Sequence, residues 1–164
     1  MRRAIVIKNK RQECYGPTST AIINSGYDIL DFNDVELMKD YDYLAGVDFS
    51  VEAIKFCRKK FAVEKERFHR LDALNFLARV EYKSDVIICT EVLEHIDEDL
   101  AMISLIQKGT KFLATVPDFG GESHVRHFKT IDEIKQRYDN CLQIDEIISF
   151  KGKHTIFLII AKVK

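Results

Sequence analysis

The sequence predicts a doubly wound α/β domain. Its sheet is expected to be mostly parallel, seven-stranded or a reduced form of that, and closed by a C-terminal antiparallel hairpin. Three observations carry this expectation. Short β-branched runs alternate with helical patterns along the chain, the order of consecutive βαβ units. The run Val86-Ile87-Ile88-Cys89 is apolar at every position, as a strand buried on both faces requires. The end of the chain differs in kind: 142–150, the turn Lys151-Gly152-Lys153 and the apolar run 155–161 form a hairpin.

Taken in order, Ala4 to Lys8 is β-branched and strand-like, and 9–17 is polar and turn-like. Residues 19–25 suit a short helix ending at Gly26. Tyr27 to Phe32 reads as a strand, Asn33-Asp34 as a turn or cap, and 35–40 as one or two helical turns. Tyr43 to Asp48 is the next strand. Ser50 is placed to cap a helix over 51–61, with Glu52 complementing its dipole and Ala53, Ile54, Phe56, Cys57 and Phe61 facing the core. Its other side, with Lys55, Arg58, Lys59, Lys60, Lys65, Arg67 and Arg70, reads as a solvated face balanced by Glu52, Glu64 and Glu66. Arg67 to Leu71 is a short strand, followed by Asp72-Ala73 and a helical turn over 74–77.

After the apolar run come Thr90, Glu91, Glu94 and His95, polar groups at the carboxyl end of a central strand, where open α/β sheets bind ligands. Asp97 can cap a helix over 98–107 with Leu100, Ile103, Leu105 and Ile106 apolar and Gly109 beyond it. Lys111 to Val116 is a strand stopped by Pro117. The segment 118–128 carries Gly120-Gly121 and two histidines and reads as a loop over the same carboxyl edge. Thr130 and Glu133 form a capping box that starts a helix to Tyr138.

The 164 residues suit one domain, 1–164, with one core. A net charge of -1 gives no pull toward nucleic acid or anionic lipid. Cys14, Cys57, Cys89 and Cys141 show no pairing or metal spacing, which fits reduced thiols in the cytoplasm. No apolar run approaches the roughly 20 residues of a membrane helix, so a soluble chain is expected.

Glu91, Glu94 and His95 fall at i, i+3 and i+4 and would share one side of a helical turn. Two carboxylates and an imidazole so placed suit a divalent metal, or activation of a hydroxyl. The plainer role of such a Glu-His pair is to hold the loop after the strand, with His95 bonded to backbone. His69 and His154 have no motif around them and read as surface or structural.

Four stretches in order narrow the family: Gly46-Val47-Asp48-Phe49-Ser50, Asp72-Ala73, Thr90-Glu91-Val92-Leu93-Glu94-His95, and Val116-Pro117-Asp118 with His124-Val125-Arg126-His127-Phe128. Together they resemble the class I S-adenosylmethionine-dependent methyltransferases, nearest to the small enzymes similar to quinone-precursor O-methyltransferases. The resemblance runs from about Tyr27 to the C-terminus. It implies that Asp48 accepts from the cofactor ribose hydroxyls, that Phe49 and Leu74 flank the adenine, that Asp72 and the backbone at Ala73 read its edge, and that Thr90 and Glu91 lie near the methionine portion. Without a cofactor, Asp48 would be a helix cap and Asp72 a turn residue.

The family's first strand leads into a glycine-rich loop. Tyr27 to Asp34 keeps Ile29-Leu30-Asp31-Phe32, so Asp31 and Asn33 become cofactor-site candidates, but larger residues replace the glycines and the interval to Asp48 is short. The other register makes Ala4 to Lys8 the first strand and Tyr15-Gly16-Pro17-Thr18-Ser19 the loop. The later register is preferred here.

Metal-dependent members of this superfamily, including quinone-precursor and RNA 3'-terminal ribose methyltransferases, carry similar Glu-x-x-Glu-His patterns. The resemblance therefore implies a divalent metal on Glu91, Glu94 and His95, completed by His124 or His127. The expected reaction is methyl transfer from S-adenosylmethionine to an oxygen or nitrogen of a small-molecule or carrier-bound acceptor, with His95, His124 or His127 as base. With no dedicated cap domain in so short a chain, an open site would suit an acceptor on a larger molecule, or closure by a homodimer. The missing glycines favour a second reading, a silent methyltransferase-like domain that binds a partner. A nicotinamide oxidoreductase is set aside because that fold also needs its glycine fingerprint.

Overall fold

A computed structural model of the chain describes residues 3–8, 43–60, 67–79 and 84–164. The strands are β1 (Arg3–Lys8), β2 (Tyr43–Asp48), β3 (Phe68–Arg70), β4 (Val86–Thr90), β5 (Lys111–Pro117), β6 (Leu142–Lys151) and β7 (Thr155–Val163). They pair into one sheet in the order β3-β2-β1-β4-β5-β7-β6. The first five run parallel, while β7 is antiparallel to both β5 and β6, so the C-terminal hairpin stands as expected, with an irregularity between Ile144 and Glu146.

The helices are α1 (Val51–Lys60), α2 (Ala73–Leu77), α3 (Asp99–Ser104) and α4 (Ile131–Tyr138), with a 3-10 turn over Leu93–His95. One face of the sheet, bearing Ile7, Val47, Ile87, Cys89, Phe112, Ala114 and Val116, joins Phe76, Met102, Ile103, Ile134 and Tyr138 in the main core. Val86, Ile88, Leu113 and Leu158 of the other face are buried as well. Burial on both faces is why β4 is uniformly apolar.

The first strand is corrected. Arg3–Lys8 lies between β2 and β4, with Ile7 opposite Val47 on one side and Cys89 on the other, so the earlier register holds and Tyr27–Phe32 is not the central strand. Both registers offered β-branched residues, and only the pairing of both edges of β1 separates them. Residues 9–42 then separate β1 from β2, so the interval is not short. The expected helices over 19–25 and 35–40, the strand over 27–32, Cys14, and the candidates Asp31 and Asn33 lie outside the described residues, and the register that nominated Asp31 and Asn33 no longer supports them.

Two helix starts follow the sequence. Ser50 Oγ accepts from Ala53 N at 3.2 Å and starts α1. Thr130 Oγ1 accepts from Glu133 N at 3.2 Å and starts α4, although the Glu133 carboxylate reaches back to Lys129 N rather than to Thr130 N. A third does not. Asp97 is no cap, α3 begins at Asp99, and no side chain caps it. Of the apolar residues expected to face the core, Ile103 and Ile106 are buried while Leu100 and Leu105 are exposed, and Met102 is buried beside Ile103. Arg58 is exposed, as expected of the solvated face, and its guanidinium also donates twice to Phe68 O, at 3.1 and 2.7 Å, tying α1 to β3. The described cysteines, Cys57, Cys89 and Cys141, are not joined in disulfides. No helix among the described residues is long and apolar enough to cross a membrane.

Candidate functional site

Strand order reverses on either side of β1, so the carboxyl ends of β1, β2 and β4 surround a topological switch point, where such sheets bind ligands. The parallel register sets Lys8 level with Thr90. Asp48 closes β2 and is 2% exposed, with Oδ1 accepting from Ser50 N at 2.7 Å. Phe49 beside it is exposed. After β3, Asp72 caps α2 by accepting from Asn75 N at 2.9 Å. Burial works against its ionisation, yet the Asn75 hydrogen bonds hold the Asp72 carboxyl below the usual range. Ala73 is buried and Leu74 packs at the edge of the core.

At the end of β4 the polar groups diverge from the expected arrangement. The buried Thr90 hydroxyl has no hydrogen-bond partner among the described residues. Glu91 has φ of 56°, the left-handed region that costs a side chain about 1 to 3 kcal/mol. Thr115 of β5 holds it there: its Oγ1 accepts from Glu91 N at 3.0 Å and donates to Glu91 Oε1 at 3.0 Å. This break separates Glu91 from the turn that follows, so the three residues do not share one helical face.

Glu94, His95 and His124 are the residues brought together, one ligand atom from each lying within 4.8 Å of the others. Glu91 is not of that group, although its carboxyl lies close enough to Glu94 to act on it through charge. His95 Nδ1 lies 2.9 Å from Ser123 O, and His124 Nδ1 lies 3.1 Å from Phe119 O. A carbonyl only accepts, so each contact calls for a proton on Nδ1, the tautomer whose neutral form offers Nε2 as an acceptor or ligand atom. The rings meet edge to face at 4.7 Å. Gly121 permits this, because a Cβ there would come within 3.0 Å of the His124 ring. His127 is exposed, lies beside Gly120, and does not join the cluster. His154 stacks on Phe119 at 4.4 Å and His69 on Phe76 at 5.1 Å, both in the structural roles expected of them.

Glu94 is fully buried, its Oε1 lies 3.8 Å from His95 Nε2, and neither carboxyl oxygen has a hydrogen-bond partner among the described residues. Burial first, and the charge of Glu91 second, push its carboxyl well above the usual range. An ionised carboxylate in such a place calls for a proton or a cation. In the metal-free chain, the unfolded state releases this proton at ordinary carboxylate pH while the folded state keeps it. That contribution to stability is full below the unfolded pKa and is lost as pH rises through the folded one. Glu94→Gln should therefore flatten the fall of melting temperature with rising pH and melt above wild type at pH 8 without metal. Parallel melting curves across pH would refute this.

Beside the cluster lies a group the sequence did not announce. Asp99 is fully buried, accepts from Arg137 at 2.8 and 2.6 Å and from the Tyr138 hydroxyl at 2.8 Å, and has Arg126 3.3 Å away. One signal was available: Asp99 stands at i-3 and i-4 from Met102 and Ile103, an acid inside the apolar stripe of its helix. Nothing local marked Thr115.

No family model and no curated protein matches the chain. Solved structures do. N-methyltransferase NodS from Bradyrhizobium japonicum WM9, in complex with S-adenosyl-L-homocysteine, aligns with a TM-score of 0.63 at 15% identity over 99% of this chain and 78% of its own. Magnesium protoporphyrin IX methyltransferase from Synechocystis PCC 6803, with bound S-adenosylmethionine, gives 0.57 at 18% over 98% and 69%. The fold is that of the class I S-adenosylmethionine-dependent methyltransferases. Phosphoethanolamine N-methyltransferase 1 from Haemonchus contortus shares this methyltransferase fold, with a TM-score of 0.64 at 15% identity over 98% of this chain and 36% of its own. On this methyltransferase fold, Asp48, Asp72, Thr90 and Glu91 stand at or just beyond the carboxyl ends of β2, β3 and β4, and the Glu94, His95 and His124 cluster lies just beyond β4.

Proposed function

We propose that the protein is an S-adenosylmethionine-dependent methyltransferase acting on an oxygen or nitrogen of a small-molecule or carrier-bound acceptor, with a divalent cation site at Glu94, His95 and His124. One observation carries this reading: a buried carboxylate ends β2 beside the switch point, and a buried carboxyl with two imidazoles follows β4 on the same edge. Support for the cofactor comes from neighbours of this fold crystallised with S-adenosylmethionine or S-adenosylhomocysteine.

In this reading Asp48 accepts from the ribose hydroxyls, for which a short carboxylate fixed by Ser50 N is well suited. Phe49 and Leu74 flank the adenine, Asp72 and the Ala73 backbone meet its edge, and Thr90 and Glu91 border the methionine portion. The cofactor supplies an electrophilic methyl on a sulfonium. A bond from the acceptor oxygen or nitrogen to that carbon forms as the carbon–sulfur bond breaks, and the acceptor's proton must leave. His95 and His124 present Nε2 for this edge, so one of them takes the proton if the acceptor arrives protonated; His127, exposed and apart, is the weakest of the three expected bases.

The cluster also fits a cation. Its donors are two imidazoles, each held at Nδ1 by a backbone carbonyl, and a carboxyl whose oxygens lack donors among the described residues. A bound divalent cation would supply Lewis acidity toward an acceptor hydroxyl.

Titration calorimetry with S-adenosylmethionine and S-adenosylhomocysteine tests the first half, and micromolar binding is expected. Cobalt(II) titration followed by visible absorption tests the second: wild type should develop ligand-field bands and Glu94→Gln should not. A specific feature of the sequence favours the competing reading of a silent, partner-binding domain. With Ala4 to Lys8 in the first strand, the loop Tyr15-Gly16-Pro17-Thr18-Ser19 supplies a single glycine in place of the family's glycine-rich run. A flat calorimetric titration would select that reading.

A further inference from the structure

The cluster is assembled from two segments far apart in sequence: the turn Leu93–His95 carries Glu94 and His95, and the loop after β5 carries His124. Something must hold the loop on the turn, since the loop has no helix or strand of its own. Its backbone makes two grips. Val125 N donates to Glu94 O at 2.8 Å, and Ser123 meets His95 Nδ1 through its carbonyl at 2.9 Å and its hydroxyl at 3.2 Å. His124 sits between these two gripping residues.

The third grip is Arg126. Its guanidinium donates to Leu93 O and Ile96 O through one nitrogen and to Asp97 O through the other at 3.1 Å. A 3-10 turn that ends without continuing into a helix leaves carbonyls without donors, and a planar fork of five N–H groups can satisfy several at once. The guanidinium is itself oriented, because Asp99 Oδ2 lies 3.3 Å away and Asp99 is held in turn by Arg137 and Tyr138 of α4. The linkage runs from α4 through Asp99 to Arg126, and from Arg126 to the carbonyls on either side of Glu94 and His95.

We infer that Arg126 is a positioning residue: with Asp99 it clamps the loop to the turn and so brings His124 Nε2 to Glu94 and His95. This deepens the cation-site reading and rests on it for its purpose, but the clamp has a signature in the metal-free protein. Arg126 touches none of the three ligand atoms and acts only through where it holds the two backbones. Removing it should release the loop after β5 while leaving the Asp48 end of β2, two strands from β4, intact.

The experiment compares wild type, Arg126→Met, Arg126→Gln and Arg126→Lys without metal. Long-range proton–nitrogen spectra report the imidazole tautomers, and amide exchange is followed at Val125 and Ala53. In Arg126→Met the Nδ1-protonated signals of His95 and His124 should average toward the free tautomer mixture, and Val125 exchange should rise at least about tenfold. Ala53, capped by Ser50 at the far end, should keep wild-type protection. Arg126→Lys, a point charge in place of a fork, should restore these signals in part. If the Met variant does not fold, Arg126→Gln, which keeps polar donors among the carbonyls, is read in the same way. Unchanged tautomers and Val125 exchange would overturn the inference. So would an equal loss of protection at Val125 and Ala53, which marks a merely structural role.

Cobalt titration of the same proteins separates the two ideas. Where wild type gives ligand-field bands, Arg126→Met should weaken cobalt at least about tenfold, and equal affinity would overturn the clamp. A wild type that takes up no cobalt overturns the cation reading alone, and the metal-free spectra still decide the clamp.

Discussion

Asp48→Asn should weaken S-adenosylhomocysteine binding by about 10- to 100-fold in titration calorimetry, the loss expected when a charged acceptor of hydroxyl hydrogen bonds becomes a neutral one. The amide can still accept from Ser50 N, which the carboxylate now does at 2.7 Å, so the start of α1 stays capped and the melting temperature should move by only a few degrees. Asp48→Ala removes that acceptor as well and should lose stability along with the cofactor. The pair separates a binding carboxylate from a helix cap. If Asp48→Asn binds like wild type, the carboxylate is only a cap and the cofactor site lies elsewhere.

Asp99→Ala should be the most damaging single substitution for the fold, at about 3 to 5 kcal/mol, because it strands Arg137, Arg126 and the Tyr138 hydroxyl around a vacated buried charge. For a chain of this size the melting temperature should fall on the order of 10 °C. Tyr138 would suffer most locally. Burial first, and Asp99 beside it, hold its phenol well above its ordinary pKa, and its hydroxyl would lose the acceptor it has among the described residues. Urea denaturation measures the loss, with Arg137→Met as the comparison. Arg137 is partly exposed and shares Asp99 with two other donors, so its removal should cost clearly less. Equal losses would mean the ion pair, and not the buried carboxylate, dominates.

Much of this molecule was legible because its signals are local. The α1 start at Ser50, the α4 start at Thr130 and the C-terminal hairpin each depend on residues within one turn or one strand pair, and each stands where it was expected. The apolar run of β4 followed by Thr90, Glu91, Glu94 and His95 pointed to the sheet edge at which Glu94, His95 and His124 gather. The class of fold followed from the same alternation of strand and helix patterns, since a short buried strand and an amphipathic helix each leave their own period in the sequence.

What the sequence could not decide was everything that depends on which segments meet. Two stretches were strand-like enough to be the first strand, the later one was preferred, and only pairing with β2 and β4 selected Arg3–Lys8. Spacing put Glu91, Glu94 and His95 on one helical face, but Glu91 is left-handed and clamped by Thr115 of the next strand, so its carboxyl reaches Glu94 from outside the turn, and only the tertiary structure chose His124 over His127 to complete the cluster. Asp97 and Asp99 offered the same carboxylate two positions apart, and the buried partners on α4 chose Asp99. Periodicity and capping are properties of neighbours in the chain. A ligand set, a strained backbone and a buried ion pair are properties of neighbours in space, and the tertiary structure alone specifies those.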